Sequence, residues 1–114
     1  MILCVGGAVV DRKYTLTSHA VAATSNPAVA TTSWGGVARN VAENLARLGV
    51  PVSLVSRVGD DAAGADLLRH TAAAGVDVSG VLVGGTTAEY VAVLDPAGDL
   101  VLGVAAMAMG GSYQ

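Results

Sequence analysis

Phenylalanine is absent from these 114 residues, and aromatic side chains make up only 4% of them. Apolar residues still reach 53%, most of them Ala and Val. Each such side chain removes little surface from water, so the core must be broad and gains little per residue. Charge is scarce too: 13% of residues are Asp, Glu, Lys or Arg, with a net charge of −3. No cluster of Lys and Arg is present to neutralise phosphates, which argues against nucleic acid as a partner. The single cysteine, Cys4, excludes an internal disulfide and any multi-cysteine zinc site. Its place in an apolar run marks it as a buried strand residue. The longest apolar stretch, Leu100–Gly111, is too short to span a bilayer and is rich in Gly and Ala. Met1 leads into a strand-like segment without a basic stretch, so a cytoplasmic location is expected. His19 and His70 stand apart from any second ligand at metal spacing, so no metal site is expected.

The composition is that of a folded chain, and the length allows one small domain. Ile2–Val5 is a continuous apolar run that reads as a buried strand. Val9-Val10 extends it past Gly6-Gly7, placing Asp11 at its end. Lys13–Ser18 alternates, and Val29–Trp34 is a second Thr-rich strand beyond the Ser25-Asn26-Pro27 turn. Together these two predict a small antiparallel flap outside the core. Gly35-Gly36 opens a helix on which Val37, Val41, Leu45 and Leu48 form one apolar stripe, with Arg39, Glu43 and Arg47 mostly on another face. Gly49 and Pro51 stop it. Val52–Ser56 is a strand, Asp60-Asp61 caps a helix over Ala62–Ala74, and Val81–Val83 is a short strand. Tyr90–Leu94 and Leu100–Val104 flank Asp95-Pro96-Ala97-Gly98-Asp99, a hairpin signal. Helices alternating with short Val-rich strands predict a layered α/β sheet. Met107–Gln114 carries no clear element.

Two places can carry ligand chemistry. At Gly35-Gly36, two residues without Cβ at a helix start let backbone N–H groups approach a ligand, and Asn40 one turn on can donate and accept hydrogen bonds. The same glycines serve equally as a tight entry to the helix. Asp11, at a strand end, can hold two vicinal hydroxyls with charge-assisted bonds, or can be an ordinary turn residue. A G-x-G-x-x-G between first strand and helix, the mark of a dinucleotide-binding module, does not occur: Gly6-Gly7-Ala8 runs on into Val9-Val10.

The run from Gly35 to Gly49, GGVARNVAENLARLG, followed by Val55-Ser56-Arg57-Val58-Gly59-Asp60-Asp61-Ala62-Ala63-Gly64, resembles the first signature of the PfkB (ribokinase-type) carbohydrate kinases. The spacing from diglycine to Asn to Gly-Asp-Asp is long and specific, and the resemblance covers Gly6 to about Met107. Within the family the chain is most similar to the pseudouridine kinases, through Ser25-Asn26-Pro27, Gly36-Val37 before Arg39-Asn40, and Glu89-Tyr90-Val91-Ala92-Val93-Leu94-Asp95.

The resemblance implies a partial ribokinase-like (Rossmann-like) α/β fold, residues 1–114 being its amino-terminal part, with a β-sheet lid over about residues 12–34. It implies transfer of the γ-phosphoryl of ATP to a sugar or nucleoside hydroxyl, with Mg²⁺ and often a monovalent cation. By matching, Asp11 and Asn40 bind sugar hydroxyls, Gly35 and Gly36 line the pocket, Asn26 faces the base of a nucleoside, and Thr87 or Tyr90 borders the same site. The lid is expected to build a homodimer, or the chain to self-associate through an exposed apolar face and an unpaired edge of its sheet.

Three positions depart from the pattern: Val9 stands where the family often has Asn, Ala38 where the pseudouridine kinases have Gly, and Ala106 where they tend to carry an acidic residue. The family's catalytic Asp, in a Gly-Ala-Gly-Asp motif that opens a helix, has no counterpart here. Asp95–Asp99 lies between two strands and is a turn instead. The nucleotide-binding and catalytic half is therefore expected beyond this chain. The alternative is an inactive fragment that serves only as a sugar-binding or interaction module.

Overall fold

A computed structural model describes residues 1–107. Ten elements follow in order: β1 (Ile2–Val5), β2 (Val9–Leu16), β3 (Ala28–Gly35), α1 (Val37–Arg47), β4 (Val52–Val55), β5 (Arg57–Val58), α2 (Ala62–Ala73), β6 (Leu82–Val83), β7 (Glu89–Leu94) and β8 (Leu100–Ala106). The tail from residue 108 onward, including the end of the Leu100–Gly111 stretch, lies outside the described residues.

The strands form three sheets. β1 and β4 pair in parallel, Cys4 opposite Leu54, as do the short β5 and β6. A four-stranded sheet in the order β3-β2-β7-β8 contains the segment expected to form a lid, and is called the lid. In it β2 runs antiparallel to β3 and parallel to β7, and β7 and β8 form the hairpin. This sheet extends beyond the segment of about residues 12–34 expected for the lid strands. The hairpin belongs to it, and its first strand starts at Val9.

That start corrects the reading of Asp11. Gly6, at φ 152°, breaks β1, and Val9-Val10 do not extend it. Asp11 is instead the third residue of a lid strand, opposite Ser33 on β3 and Tyr90 on β7. Strand alternation reaches back to Val10, which is fully buried while Asp11 is half-buried.

Helix α1 corrects a second reading. Of the expected stripe only Leu45 packs on the core, while Val37 is 82% and Leu48 79% exposed. The buried face is the smaller apolar series Ala38, Ala42 and Ala46, which meets Cys4, Val52, Leu54 and Val76. Alanine lets the helix axis approach the β1–β4 pair closely, so the small series wins over the large one. Arg39 goes inward with that face and is 3% exposed.

A second cluster joins core to lid: Ala8, Val10, Val58 and Leu67, with Trp34, Ala63 and Leu68 packed against it. Trp34 is therefore a packing residue under the lid, its ring 5.7 Å from that of His70. The hairpin turn closes through Asp95, whose Oδ1 accepts from Ala97 N and Asp99 N, both at 2.9 Å, with Gly98 at φ 90°.

Buried Arg39 ties the two helices together. Its guanidinium donates to Thr71 Oγ1 (3.2 Å) on α2 and pairs with Glu43 (2.8 Å) on α1. Arg47 also pairs with Glu43 (2.8 Å). A lysine offers one point charge in place of this fork. Arg39→Lys is expected to cost about 2 kcal/mol, read from urea unfolding at pH 7. The bonds from Arg47 and Arg39 hold the Glu43 carboxyl below the usual carboxylate range. Its folded pKa is lowered, so the pair's stabilisation is full above the unfolded value of 4.5 and is lost as pH falls through the folded one. Acid titration of the Glu43→Gln variant is therefore expected to show a flatter stability profile below pH ~5 than wild type.

Candidate functional site

The junction between lid and core is built on Gly35-Gly36. Gly35 ends β3 and is buried. The Asp11 carboxylate lies directly over its Cα: a Cβ there would collide with Oδ2 and stand 3.1 Å from Cγ. Gly36 caps α1 at φ 93°, and a Cβ on it would come within 2.7 Å of the Gly7 carbonyl carbon and 2.8 Å of Ala8 Cα. Each glycine thus has its own reason. The first makes room for a carboxylate, and the second turns the chain against the Gly7-Ala8 backbone.

Helix α1 begins at this point without a side-chain cap and without an acidic residue in its first turn. Its opening N–H groups and the positive end of its dipole therefore sit next to the Asp11 carboxylate. Asn40 closes the first turn, its N–H donating to Gly36 O at 2.9 Å. Its side-chain Oδ1 accepts from buried Arg39 (2.9 Å), and the amide NH2 of this exposed residue has no partner among the described residues. Asp11, Gly35 and Gly36 meet at one helix entrance, and Asn40 lies one turn along the same helix. A carboxylate acceptor beside several N–H donors suits vicinal hydroxyls, each of which both donates and accepts.

The other sequence-derived candidates fall differently. Tyr90 shares the Asp11 row of the lid sheet, but its ring lies over Gly103 of β8, where a Cβ would come within 3.2 Å of its Cζ. Asn26 uses its carboxamide to close its own loop, accepting from Val21 N (2.8 Å) and donating to Val21 O (2.9 Å) and Thr24 O (3.1 Å). Thr87 is 4% exposed, and its hydroxyl donates to Asp61 Oδ1 (2.6 Å) while accepting from Gly59 N (2.9 Å). Neither Asn26 nor Thr87 offers a free polar group to a ligand in this arrangement. Sequence reasoning missed Arg39 as the residue that orients Asn40. Its i, i+4 spacing to Glu43 was a usable signal, overshadowed by the larger apolar stripe. Ser33, opposite Asp11 on β3, was also passed over, since only the strand register brings the two together.

The pfkB family carbohydrate kinase model matches residues 1–109. The chain belongs to the pfkB family of carbohydrate kinases. Among curated relatives, the uncharacterised sugar kinase YeiI of Escherichia coli K12 is 45% identical over 82 residues, 70% of this chain and 23% of that protein. Pseudouridine kinase of the same organism is 40% identical over 84 residues, 72% of this chain and 27% of that protein. A solved carbohydrate kinase from Agrobacterium tumefaciens superposes with a TM-score of 0.83 at 33% identity, covering 92% of this chain and 34% of that one. The fold is therefore a partial ribokinase-type α/β fold. The chain spans about a quarter of the length of the curated relatives that it matches.

As a pfkB-family chain it can be tested for fit to the nucleotide and metal that such kinases use. Among the described residues no three His, Cys, Asp or Glu side chains gather to hold a metal ion. The glycines after β1 lead into another strand rather than a helix, so they form no phosphate cradle. Among the described residues, neither the carboxylates nor the glycines after β1 form a site that fits Mg²⁺ or the phosphates of ATP. Among the described residues no helix is long and apolar enough to cross a membrane.

Proposed function

We propose that the protein phosphorylates a hydroxyl of a sugar or nucleoside at the expense of ATP, and that this chain supplies the part that holds the acceptor. The observation that carries this reading is the Asp11 carboxylate seated over Gly35 at the uncapped entrance of α1. Phosphoryl transfer needs positioning more than covalent help from the protein. Asp11 accepts from two neighbouring hydroxyls, while the α1 N–H groups and the Asn40 amide donate to the same sugar, fixing which hydroxyl points outward. ATP, Mg²⁺ and any monovalent cation are held by residues other than these. Among the described residues the base at this site is Asp11, which this reading commits to binding hydroxyls, so the chain taken alone is expected to bind an acceptor without turning it over.

The similarity to pseudouridine kinase supports a nucleoside among the acceptors, whereas Val9, Ala38 and Ala106 depart from that subfamily's pattern. For Asn26 to reach a base, the loop that it closes must first open. A thermal-shift screen against ribose, fructose, adenosine and pseudouridine tests the reading. Stabilisation by at least one is expected, and none by any of the four, at concentrations up to tens of millimolar, would remove it.

The lid also supports association between copies. Both outer strands, β3 and β8, have a free edge among the described residues, and on β8 Leu100, Leu102 and Val104 are exposed. Such an edge is a template for pairing with another chain. Light scattering is expected to show dimers or larger species growing with concentration. A monodisperse monomer at high concentration would contradict it.

A further inference from the structure

Among the described residues the lid meets the core at three chain crossings. Two of them, Gly6–Ala8 and Gly35-Gly36, pack on one another at the site itself. The third, residues 84–88 between β6 and β7, is bonded to the turn that opens α2. Gly84 N donates to Val58 O and Asp60 N to Gly85 O, both at 2.9 Å. Thr87 completes the attachment. Its N–H donates to Asp61 Oδ2 (2.9 Å), its hydroxyl donates to Asp61 Oδ1 (2.6 Å), and the same hydroxyl accepts from Gly59 N (2.9 Å).

Asp61 is the N-cap of α2, and for that task one oxygen suffices: Oδ1 accepts from Gly64 N at 2.8 Å. Oδ2 does nothing for the helix and is committed to Thr87. The surroundings leave no slack, since a Cβ on Gly59 would stand 2.6 Å from Asp61 Oδ2 and one on Gly64 would stand 2.8 Å from Thr87 Oγ1. The residue after Thr87 begins the lid ladder, Ala88 O accepting from Val10 N at 2.9 Å. Asp11 is the next residue along.

We propose that the Asp61–Thr87 pair is a positioning latch: it fixes β7 to the core and, through the β7–β2 ladder, sets Asp11 over the diglycine. Neither residue touches the acceptor. That the latch tunes acceptor binding rests on the function proposed above. That it holds the lid does not.

Hydrogen exchange on the full chain separates the two. Asp61→Ser keeps a capping oxygen and loses the one that serves Thr87 N. Thr87→Val removes the hydroxyl at nearly constant volume. Both are expected to speed exchange of the amides in residues 9–16 and 89–94 by about tenfold or more, as expected for two lost hydrogen bonds. The β4 amides, residues 52–55, are expected to change by less than about twofold. Thr87→Ser is expected to restore the wild-type pattern. Unchanged lid exchange, or equal acceleration of lid and core, would overturn the latch. Calorimetric titration with ribose and with pseudouridine then reads the second part. If wild type binds either, both latch variants are expected to weaken that binding about tenfold, and unaltered affinity beside a loosened lid would overturn the coupling to Asp11. If wild type binds neither probe, the functional reading and the coupling built on it fail together, while the exchange result still decides the latch.

Discussion

Gly36→Val is expected to abolish the native fold. At φ 93° a β-branched residue is strained before any contact is counted, by about 1–3 kcal/mol. Its Cβ would also press on Gly7 and Ala8, with 2.7 Å to a carbonyl carbon and 2.8 Å to a Cα. Those atoms are backbone and cannot rotate away. Overpacking of this kind adds about 1–3 kcal/mol. The sum, about 4 kcal/mol, is most of what a small domain has in hand. Circular dichroism during urea titration is the check: the midpoint should fall to near zero denaturant. Gly49→Ala is the control, since at φ 81° with open space around it only the backbone term applies, about 1 kcal/mol.

Asp11→Ala is expected to produce the largest functional loss. A carboxylate that accepts from two hydroxyls contributes about 1.5 kcal/mol or more for each. Loss of both corresponds to about a hundredfold weaker acceptor binding, or a KM raised by that factor in the complete enzyme. The fold should tolerate the change, because Asp11 is half-buried and its lid neighbours are held by backbone pairing. Gly35→Ala should reproduce most of the loss, since the new methyl group occupies the place of the carboxylate. The two effects should not add in the double variant, which a double-mutant cycle reads directly. Additive losses would mean that Gly35 and Asp11 serve separate purposes.

Much of this was legible in the sequence, for identifiable reasons. Helix α2 was marked at both ends by strong local signals, the Asp61 cap and Gly75. The Asp95–Asp99 turn carried its own hydrogen-bonding side chain. The diglycine was visible as an anomaly because nothing else places two glycines between a strand and a helix. Failures came where local pattern permits two answers. On α1 an alanine series and a valine–leucine series run side by side, and spacing alone does not say which meets a sheet. The larger residues looked like the core, and the need for close approach selected the smaller ones. Val9-Val10 looked like a continuation of β1 because apolar runs on either side of Gly6-Gly7 are alike. Only the pairing with β3 and β7 assigns them to the lid. That reassignment moves Asp11 off the core sheet and, by bringing it over Gly35, strengthens its candidacy. The bonds that occupy Thr87 and Asn26 were illegible for a different reason. Partner residues 26 positions apart, or a loop folded back on itself, leave no periodic trace.

Amide chemical shifts of the labelled protein, followed during titration with ribose and then pseudouridine, address the α1 entrance most directly. Saturable perturbations centred on residues 35–40 and on Asp11, absent from the Asp11→Ala variant, are the predicted result. Saturable binding whose shifts leave those residues untouched, or that survives the substitution, would contradict it.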